Sequence, residues 1–547
     1  MVNLVRLLVD QGVLTADKGS ALMRQAQAEA DRARAAQQTA LAAAAPGGLP
    51  APAPGTIRVP YVPQTVRDQI KAELRTEVMQ TARAEGWASP DGAAPDWTRR
   101  ITLNGDVRVR SQSVLYSKTN SDQILDFARI NAQGPFDVSG LTPFPYLNTR
   151  EDRINQLQLR ARLGLTVKVS DRIEAGFQIA SGDSNTPISL NASLGGGLGQ
   201  RDVWLQYAYL TVKPTDWALI SAGRFRNPFR STELVFDEDL AFDGVAATID
   251  VGKALGDDFG LKLTGGAFPL DFGDPDYPST RPTKTSFPQK YLFSGEILFD
   301  TKFDDFATVR LAAAYHSFSN IQGELSEPCL VGENVVDCST DGTRPTFLGK
   351  GNTLSYLRLV ATRPGAPDPL PLQFFGLTFD YDILDVRGEV EFALDDEVKA
   401  TIGGNYVRNL GFKRSAICRN GVFGEPFNNG GSEGGSASIC DGSNTARFLG
   451  GNEGYQGSIR LGHHDVWRKG QWSVEGGYRY VQTDAVLDSL SDSDFHFGGT
   501  NAKGYFLAGR YSLYDNTSIG ARWLSANEIV GDPLSIDVLF FDIEAKF

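Results

Sequence analysis

Residues 535–547 read SIDVLFFDIEAKF and end on an aromatic, Phe547. Leu539, Phe541, Ile543, Ala545 and Phe547 alternate with Phe540, Asp542, Glu544 and Lys546. Successive side chains of a strand point to opposite faces, so one face of this segment suits lipid and the other suits water. That is the pattern of a strand in the wall of a transmembrane β-barrel. One such segment suggests the class; its repetition upstream decides it.

Two-residue periodicity recurs from Arg99 onward. Ile101, Leu103, Val107 and Val109 share one face of the first candidate strand; Leu157, Leu159, Ala161, Leu163, Leu165 and Val167 do so in the second. A tight turn at Ser170 and Asp171 leads into 172–181. Val203, Leu205, Tyr207 and Tyr209 read as one face of the next strand, before a turn at Pro214 and Thr215 and a strand at 217–226. Further candidates are 242–251, 259–268, 290–300, 306–319, 373–393, 398–408, 453–466, 472–484, 503–514, 517–527 and the final strand, sixteen in all. Short links near residues 170, 215, 254, 303, 396, 469 and 515 alternate with long ones at 118–152, 183–200, 227–241, 270–287, 320–372, 409–452 and 485–502. With a brief eighth loop at 529–534, this is the arrangement of an even-stranded barrel with both ends in the periplasm. Sixteen strands enclose an aqueous channel rather than a packed core. Residues 350–362 (KGNTLSYLRLVAT) leave a second count open, eighteen strands.

Composition agrees with an all-β transmembrane barrel. No apolar run reaches the ~18 residues of a membrane helix, and 58 Gly with 32 Phe, 17 Tyr and 7 Trp suit a wall that is apolar only on alternate positions. The alternative class is a large soluble β-protein. A net charge of −13 excludes general nucleic-acid binding, which needs a basic footprint. Cys329/Cys338 and Cys418/Cys440 form two local pairs in Gly-, Asn-, Ser- and Asp-rich loops. They predict disulfides in extracellular loops five and six, in an oxidising envelope. Zinc-ligand spacing is missing, and no other metal or cofactor is called for.

Residues 1–98 differ in kind. Thr15 can cap a helix over 16–45, which is mostly Ala, Gln, Arg, Glu and Asp, so that 1–45 forms an N-terminal helical segment. A Pro/Ala-rich linker follows at 46–63 (PGGLPAPAPGTIRVPYVP). A second helix begins at Gln64, within a 64–98 segment that leads into the barrel at 99–547. Val66, Ile70, Leu74 and Val78 recur every fourth residue, but Glu73 and Glu77 break the heptad early. A short periplasmic coiled coil, a helix on the barrel mouth and a mobile tail all remain open. A secretion signal is expected, yet residues 1–10 (MVNLVRLLVD) carry one Arg and no clean apolar core before a small-residue cleavage site, so either the numbering starts after its removal or the true start lies upstream.

The stretch GRFRNPFRSTELVFDEDLAFDGVA, residues 223–246, resembles the proteobacterial putative porins, which are distantly similar to the phosphate-selective porins. The segments LLVDQGVLT, VPYVPQTVRDQIKAELRTEV, LNGDVRVR and FHFGGTNAKGYFLAGRYSLYDNTSIGARWLSA extend the resemblance over nearly the whole chain. It implies an outer-membrane, trimeric solute channel in contact with lipid and lipopolysaccharide; periodicity alone implies only a barrel.

In general porins the third long loop narrows the pore. Here that loop, 227–241, carries Arg230, Glu233, Asp237, Glu238 and Asp239, and follows Arg224 and Arg226. The structural alternative is that it docks on the wall or stays in solvent. Opposite the lipid-facing phase lie Arg108, Arg110, Arg160, Arg162, Arg310, Arg460, Arg479, Arg510 and Arg522. An Arg facing lipid near the midplane costs roughly 2–4 kcal/mol, so these nine face the lumen. A positive lining is the kind anion pores use; whether the guanidiniums pair with acids stays open. The expected function is passive diffusion of small hydrophilic solutes with a tilt toward anions. The other reading is a structural protein that tethers the outer membrane to peptidoglycan through residues 1–98. Enzymatic motifs are missing: His316, His463, His464 and His496 form no chelating set, and there is no nucleophile elbow, phosphate loop or HExxH.

Overall fold

The computed structural model describes residue 28 and residues 100–547, except for 133–143, 183–185, 257–258, 277–281, 304–305, 330–337, 362–373, 433–437 and 443–445. Apart from helical Ala28, the helices, linker and coiled coil expected within 1–98 lie outside the described residues.

Sixteen strands close into one antiparallel ring: β1 (Ile101–Tyr116), β2 (Arg153–Ser170), β3 (Ile173–Ser181), β4 (Val203–Thr215), β5 (Ala218–Arg226), β6 (Ala241–Asp250), β7 (Gly260–Asp271), β8 (Lys290–Phe303), β9 (Ala307–Ser319), β10 (Tyr381–Ala393), β11 (Val398–Asn409), β12 (Glu453–His463), β13 (Trp472–Val481), β14 (Ala502–Tyr514), β15 (Thr517–Glu528) and β16 (Ser535–Lys546). Each strand pairs with its chain neighbour, and β1 pairs with β16 from Asp106↔Lys546 to Tyr116↔Ile536. Residues 350–362 add nothing to the ring. Leu354–Tyr356 pairs with Phe375–Leu377 in a separate two-stranded sheet, while β9 pairs directly with β10. The count is therefore sixteen, not eighteen, and the wall strand expected at 373–393 begins only at Tyr381.

Alternation places the apolar phase outside. Leu103, Val107, Val109, Phe541 and Ile543 are exposed, while Asp106, Arg108, Arg110 and Glu544 are buried within. Tyr406, Tyr455 and Tyr505 ring the outer wall toward the long loops, and Phe303, Phe306, Tyr514 and Phe547 do so toward the short turns. These are the two aromatic girdles of a membrane barrel. Phe547 completes the closure: its N–H and C=O exchange hydrogen bonds with Gly105 at 2.9 and 3.0 Å. Its ring covers Gly105, where a Cβ would lie 2.6 Å from the ring.

One face assignment changes. The β3–β4 register steps from Gln178↔Tyr207 to Ile179↔Leu205, a bulge at Gln206. A bulge re-aims the residues beyond it. Val203 and Leu205 stay outside, Leu210 takes over the outer phase, and Tyr207 and Tyr209 turn inward. Tyr209 lies over Gly176, where a Cβ would meet its ring at 2.2 Å.

The inside is not uniformly wet. Phe225, Phe242, Phe268, Leu292 and Phe318 project inward from β5–β9 and are buried. Phe229, Leu234 and Phe236 from the β5–β6 loop (L3, 227–240) pack into the same cluster. Phe229 meets Phe242 and Phe268 edge-on at 6.2 and 5.9 Å. Burial of each such ring is worth about 1.5–3 kcal/mol, enough to hold L3 against the wall.

Candidate functional site in the barrel lumen

The register across the closure concentrates charge. Arg160, Arg108 and Glu544 share one rung across β2, β1 and β16; Arg162, Asp106 and Lys546 share the next; Gln158, Arg110 and Asp542 share the one beyond. Acids interleave with the guanidiniums and offset their repulsion. Arg110 donates to both Asp542 oxygens at 2.7 and 3.1 Å. Arg160 meets Glu544 at 2.9 Å and Asp106 at 3.4 Å, and Arg162 meets Asp106 at 2.6 Å. Arg108 differs. It is buried, donates to Asn191 Oδ1 at 2.7 Å, and has no ion-pair partner among the described residues.

The remaining wall arginines also face inward. Arg310 meets Glu389 at 2.8 Å and Asp300 at 3.3 Å. Arg387 and Arg230 reach the same Glu389 at 3.0 and 3.2 Å. Arg460 bends to the carbonyls of His463 and His464, at 3.1 and 2.8 Å. Arg479 pairs with Asp492 at 2.5 Å, Arg510 with Glu544 at 3.1 Å, and Arg522 with Asp494. Arg224 does not belong to this set. It stands in register with Asp243 on the phase of exposed Ile220, Val245 and Ile249, and pairs with that acid at 2.9 Å on the outer wall. Arg226 lies over the Tyr207 ring at 5.4 Å.

L3 crosses from β5 to the arginines of β2. The Arg230 N–H donates to Glu296 at 2.7 Å, and the Thr232 hydroxyl bonds Asn405. Glu233 lies 3.6 Å from Arg479. Asp237 is buried and accepts the backbone N–H groups of Asp239 and Ser493 at 2.8 and 2.9 Å. Asp239 is buried 3.6 Å from Arg160. Glu238, between them, is the exposed member, with 65% of its side chain accessible, and lies 3.8 Å from Arg160. Asp492 and burial push the Glu233 carboxyl up to about 8. Burial, then Asp492, also raises Asp237. For Glu238 the protein walls around the lumen oppose ionisation, but Arg160, Arg108, Arg522 and Arg162 outweigh them and hold the group below its ordinary value.

A second loop enters the barrel, which the alternation of strands did not indicate. The β13–β14 loop (L7, 482–501) buries Ala485, Val486, Asp488, Asp492, Phe495 and His496. Backbone hydrogen bonds join it to L3: Asp237 N–H to Leu490 O and Asp492 N–H to Glu233 O, both at 2.9 Å. The long β9–β10 loop is fastened above it. Asp488 accepts the N–H groups of Gly349 and Asn352 at 3.2 and 2.9 Å, and Asp484 accepts that of Thr353 at 2.8 Å. The sequence signal was SDSDFHF at 491–497, acids interleaved with rings unlike a solvated loop. Cavities remain beside these loops. One of about 490 Å³ is lined by Glu233, Glu238, Glu475, Arg387, Arg479 and Arg522. Another, of about 560 Å³, is lined by Gln158, Asn191, Lys350 and Asp494.

Cys329–Cys338 and Cys418–Cys440 are disulfide-bonded, in the β9–β10 and β11–β12 loops. Among the described residues no three His, Cys, Asp or Glu side chains are grouped to hold a metal ion.

The whole chain, residues 1–547, matches the family described as "Putative porin". No curated protein matches it. Solved structures similar to it include the outer membrane channel DcaP of Acinetobacter baumannii, at 12% identity and a TM-score of 0.38, covering 84% of this chain and 99% of that one. OprB of Pseudomonas putida is similar at 9% identity and a TM-score of 0.43, with coverages of 82% and 95%. OmpF of Salmonella typhi stands at 10% and 0.38, with coverages of 82% and 97%.

Proposed function

Because this chain belongs to the putative porin family, we propose that it is a passive diffusion channel for small hydrophilic solutes and ions, narrowed where L3 faces the arginines of β1, β2 and β15. Family and fold together indicate an outer-membrane channel rather than an enzyme. The observation that carries the finer reading is Glu238, a water-exposed carboxylate with four arginines exerting their charge on it from the facing wall. Opposed charges across a narrow, low-dielectric passage create a transverse field that acts on every solute passing between them. Acids neutralise most wall arginines, so the proposed anion tilt rests on Arg108 and Arg460, which have no acid partner among the described residues.

Planar-bilayer reversal potentials in a salt gradient test this. The wild-type channel is expected to favour anions weakly, and Glu238→Gln to favour them more. Cation preference in the wild type would overturn the tilt; no conductance at all would overturn the channel.

We also propose a homotrimer embedded in outer-membrane lipid and lipopolysaccharide, with residues 1–98 on the periplasmic side. The Ala-rich stretch and Pro-rich spacer favour a second role for that segment, tethering to peptidoglycan. Deleting residues 1–85 separates the two. Lost peptidoglycan association with intact conductance supports a tether, lost oligomers support an assembly helix, and neither change removes both roles.

A further inference from the structure

L7 brings its own counter-charge to the wall. Asp494 Oδ2 accepts from Arg110 Nη1 at 3.0 Å and also contacts Arg522 Nη2. Both guanidiniums lie over the ring of Phe540, 4.4 and 4.8 Å from its centroid. Asp542 orients Arg110 from the other side through two hydrogen bonds. Planar guanidiniums stacked on an aromatic ring and converging on one oxygen are a built receptor for a carboxylate or similar oxyanion. Here the oxyanion is tethered. The Asp494 N–H donates to Asp492 Oδ1 at 2.8 Å, and Asp492 is itself anchored on Arg479.

The contact is not sealed away. The side chains of Asp494 and Arg522 are each 23% accessible. They border different spaces: Asp494 lines the cavity of about 560 Å³ and Arg522 the one of about 490 Å³. The carboxylate–guanidinium contact therefore stands where the two cavities adjoin. The local charges also balance, since Arg110 and Arg522 are matched by Asp542 and Asp494. Removing Asp494 leaves one of these positive charges unmatched between the two cavities.

We propose that Arg110, Arg522 and Phe540 form an oxyanion site occupied in cis by Asp494, and that this occupancy sets the charge selectivity of the channel. Small carboxylate solutes are its ligands once Asp494 is displaced or removed. The proposal rests on the channel reading above and deepens it.

The test uses the full-length protein in planar bilayers under a potassium chloride gradient, with potassium acetate as the carboxylate probe. Asp494→Asn keeps the side chain's shape and removes its charge; Asp276→Asn, in the exposed β7–β8 loop, is the charge-matched control. Asp494→Asn is expected to raise the chloride-to-potassium permeability ratio roughly threefold or more at low salt, relative to wild type and control. Acetate then inhibits its chloride current more strongly than that of the wild type. Arg522→Gln removes the opposite charge from the same contact and shifts the ratio the other way, which keeps the test decisive if Asp494→Asn does not assemble. A conducting wild type with neither variant shifted beyond the control overturns the site and leaves the channel standing. A wild type that never conducts overturns both.

Discussion

Arg160→Gln examines the charge network where L3 meets the wall. Arg160 is only 3% exposed, and its guanidinium meets Glu544 at 2.9 Å, Asp106 at 3.4 Å, Asp239 at 3.6 Å and Glu238 at 3.8 Å. Removing one member of a buried ion pair costs about 3–5 kcal/mol, because the partner stays buried and uncompensated. The neighbours limit that cost. Arg510 still reaches Glu544 at 3.1 Å, and Arg162 still reaches Asp106 at 2.6 Å. Asp239 keeps only Arg162, at 3.9 Å, so the loss concentrates on L3. We expect a destabilisation of about 3 kcal/mol, at the low end of that range. Urea titration in detergent, with the folded fraction read from heat-modifiable gel mobility, measures it, and limited proteolysis locates it to L3. Combining Arg160→Gln with Asp239→Asn should recover about 1–2 kcal/mol, since the stranded charge is gone. A loss below about 1 kcal/mol, with L3 no more cleavable than before, would refute the reasoning. The pair would then be worth no more than one on an exposed surface.

Three further outcomes follow from the packing and the titrating groups. Gly105→Val should sharply lower the yield of folded barrel, because its Cβ would lie 2.6 Å from both the Phe547 ring and the Arg162 carbonyl; normal yield and heat shift would contradict the closure described here. Replacing Cys329 and Cys338 by Ala should increase protease cleavage in the β9–β10 loop without changing the heat shift, since the bond closes a loop outside the wall; an unfolded barrel would be the contrary result. The L3–L7 contact should weaken with alkalinity. The Glu233 carboxyl is raised from its ordinary 4.5 to about 8, so its contribution is complete below about pH 4.5 and lost as pH rises through 8. Asp237 is shifted in the same direction. Cleavage in L3 should therefore rise between pH 7 and 9 in the wild type and stay flatter in Glu233→Gln, and identical profiles would exclude Glu233 as the cause.

The sequence by itself determined what depends on one or two neighbouring residues. The two-residue period of a strand is local, and lipid rejects charge on one phase of it, so the barrel class, a count of sixteen or eighteen strands and the inward facing of nine wall arginines were legible without coordinates. The cysteine pairs were legible because the partners of each lie close together in the sequence, at separations of 9 and 22 residues. Tertiary structure decided what depends on residues far apart in the chain. Arg110 finds Asp542 and Asp494 at separations of 432 and 384 residues, across the strand closure and through a folded-in loop. No periodicity encodes such meetings, and for that reason the balance between free and paired arginines stayed open. The bulge at Gln206 turned Tyr207 and Tyr209 inward because one unpaired residue reverses every face beyond it. Residues 350–362 show an ordinary strand pattern, yet they hydrogen-bond within their own loop because β9 and β10 already satisfy each other's edges. L7 interleaves acids with rings, and it enters the barrel because its acids meet wall arginines already in place, a complementarity that exists only once the ring is closed.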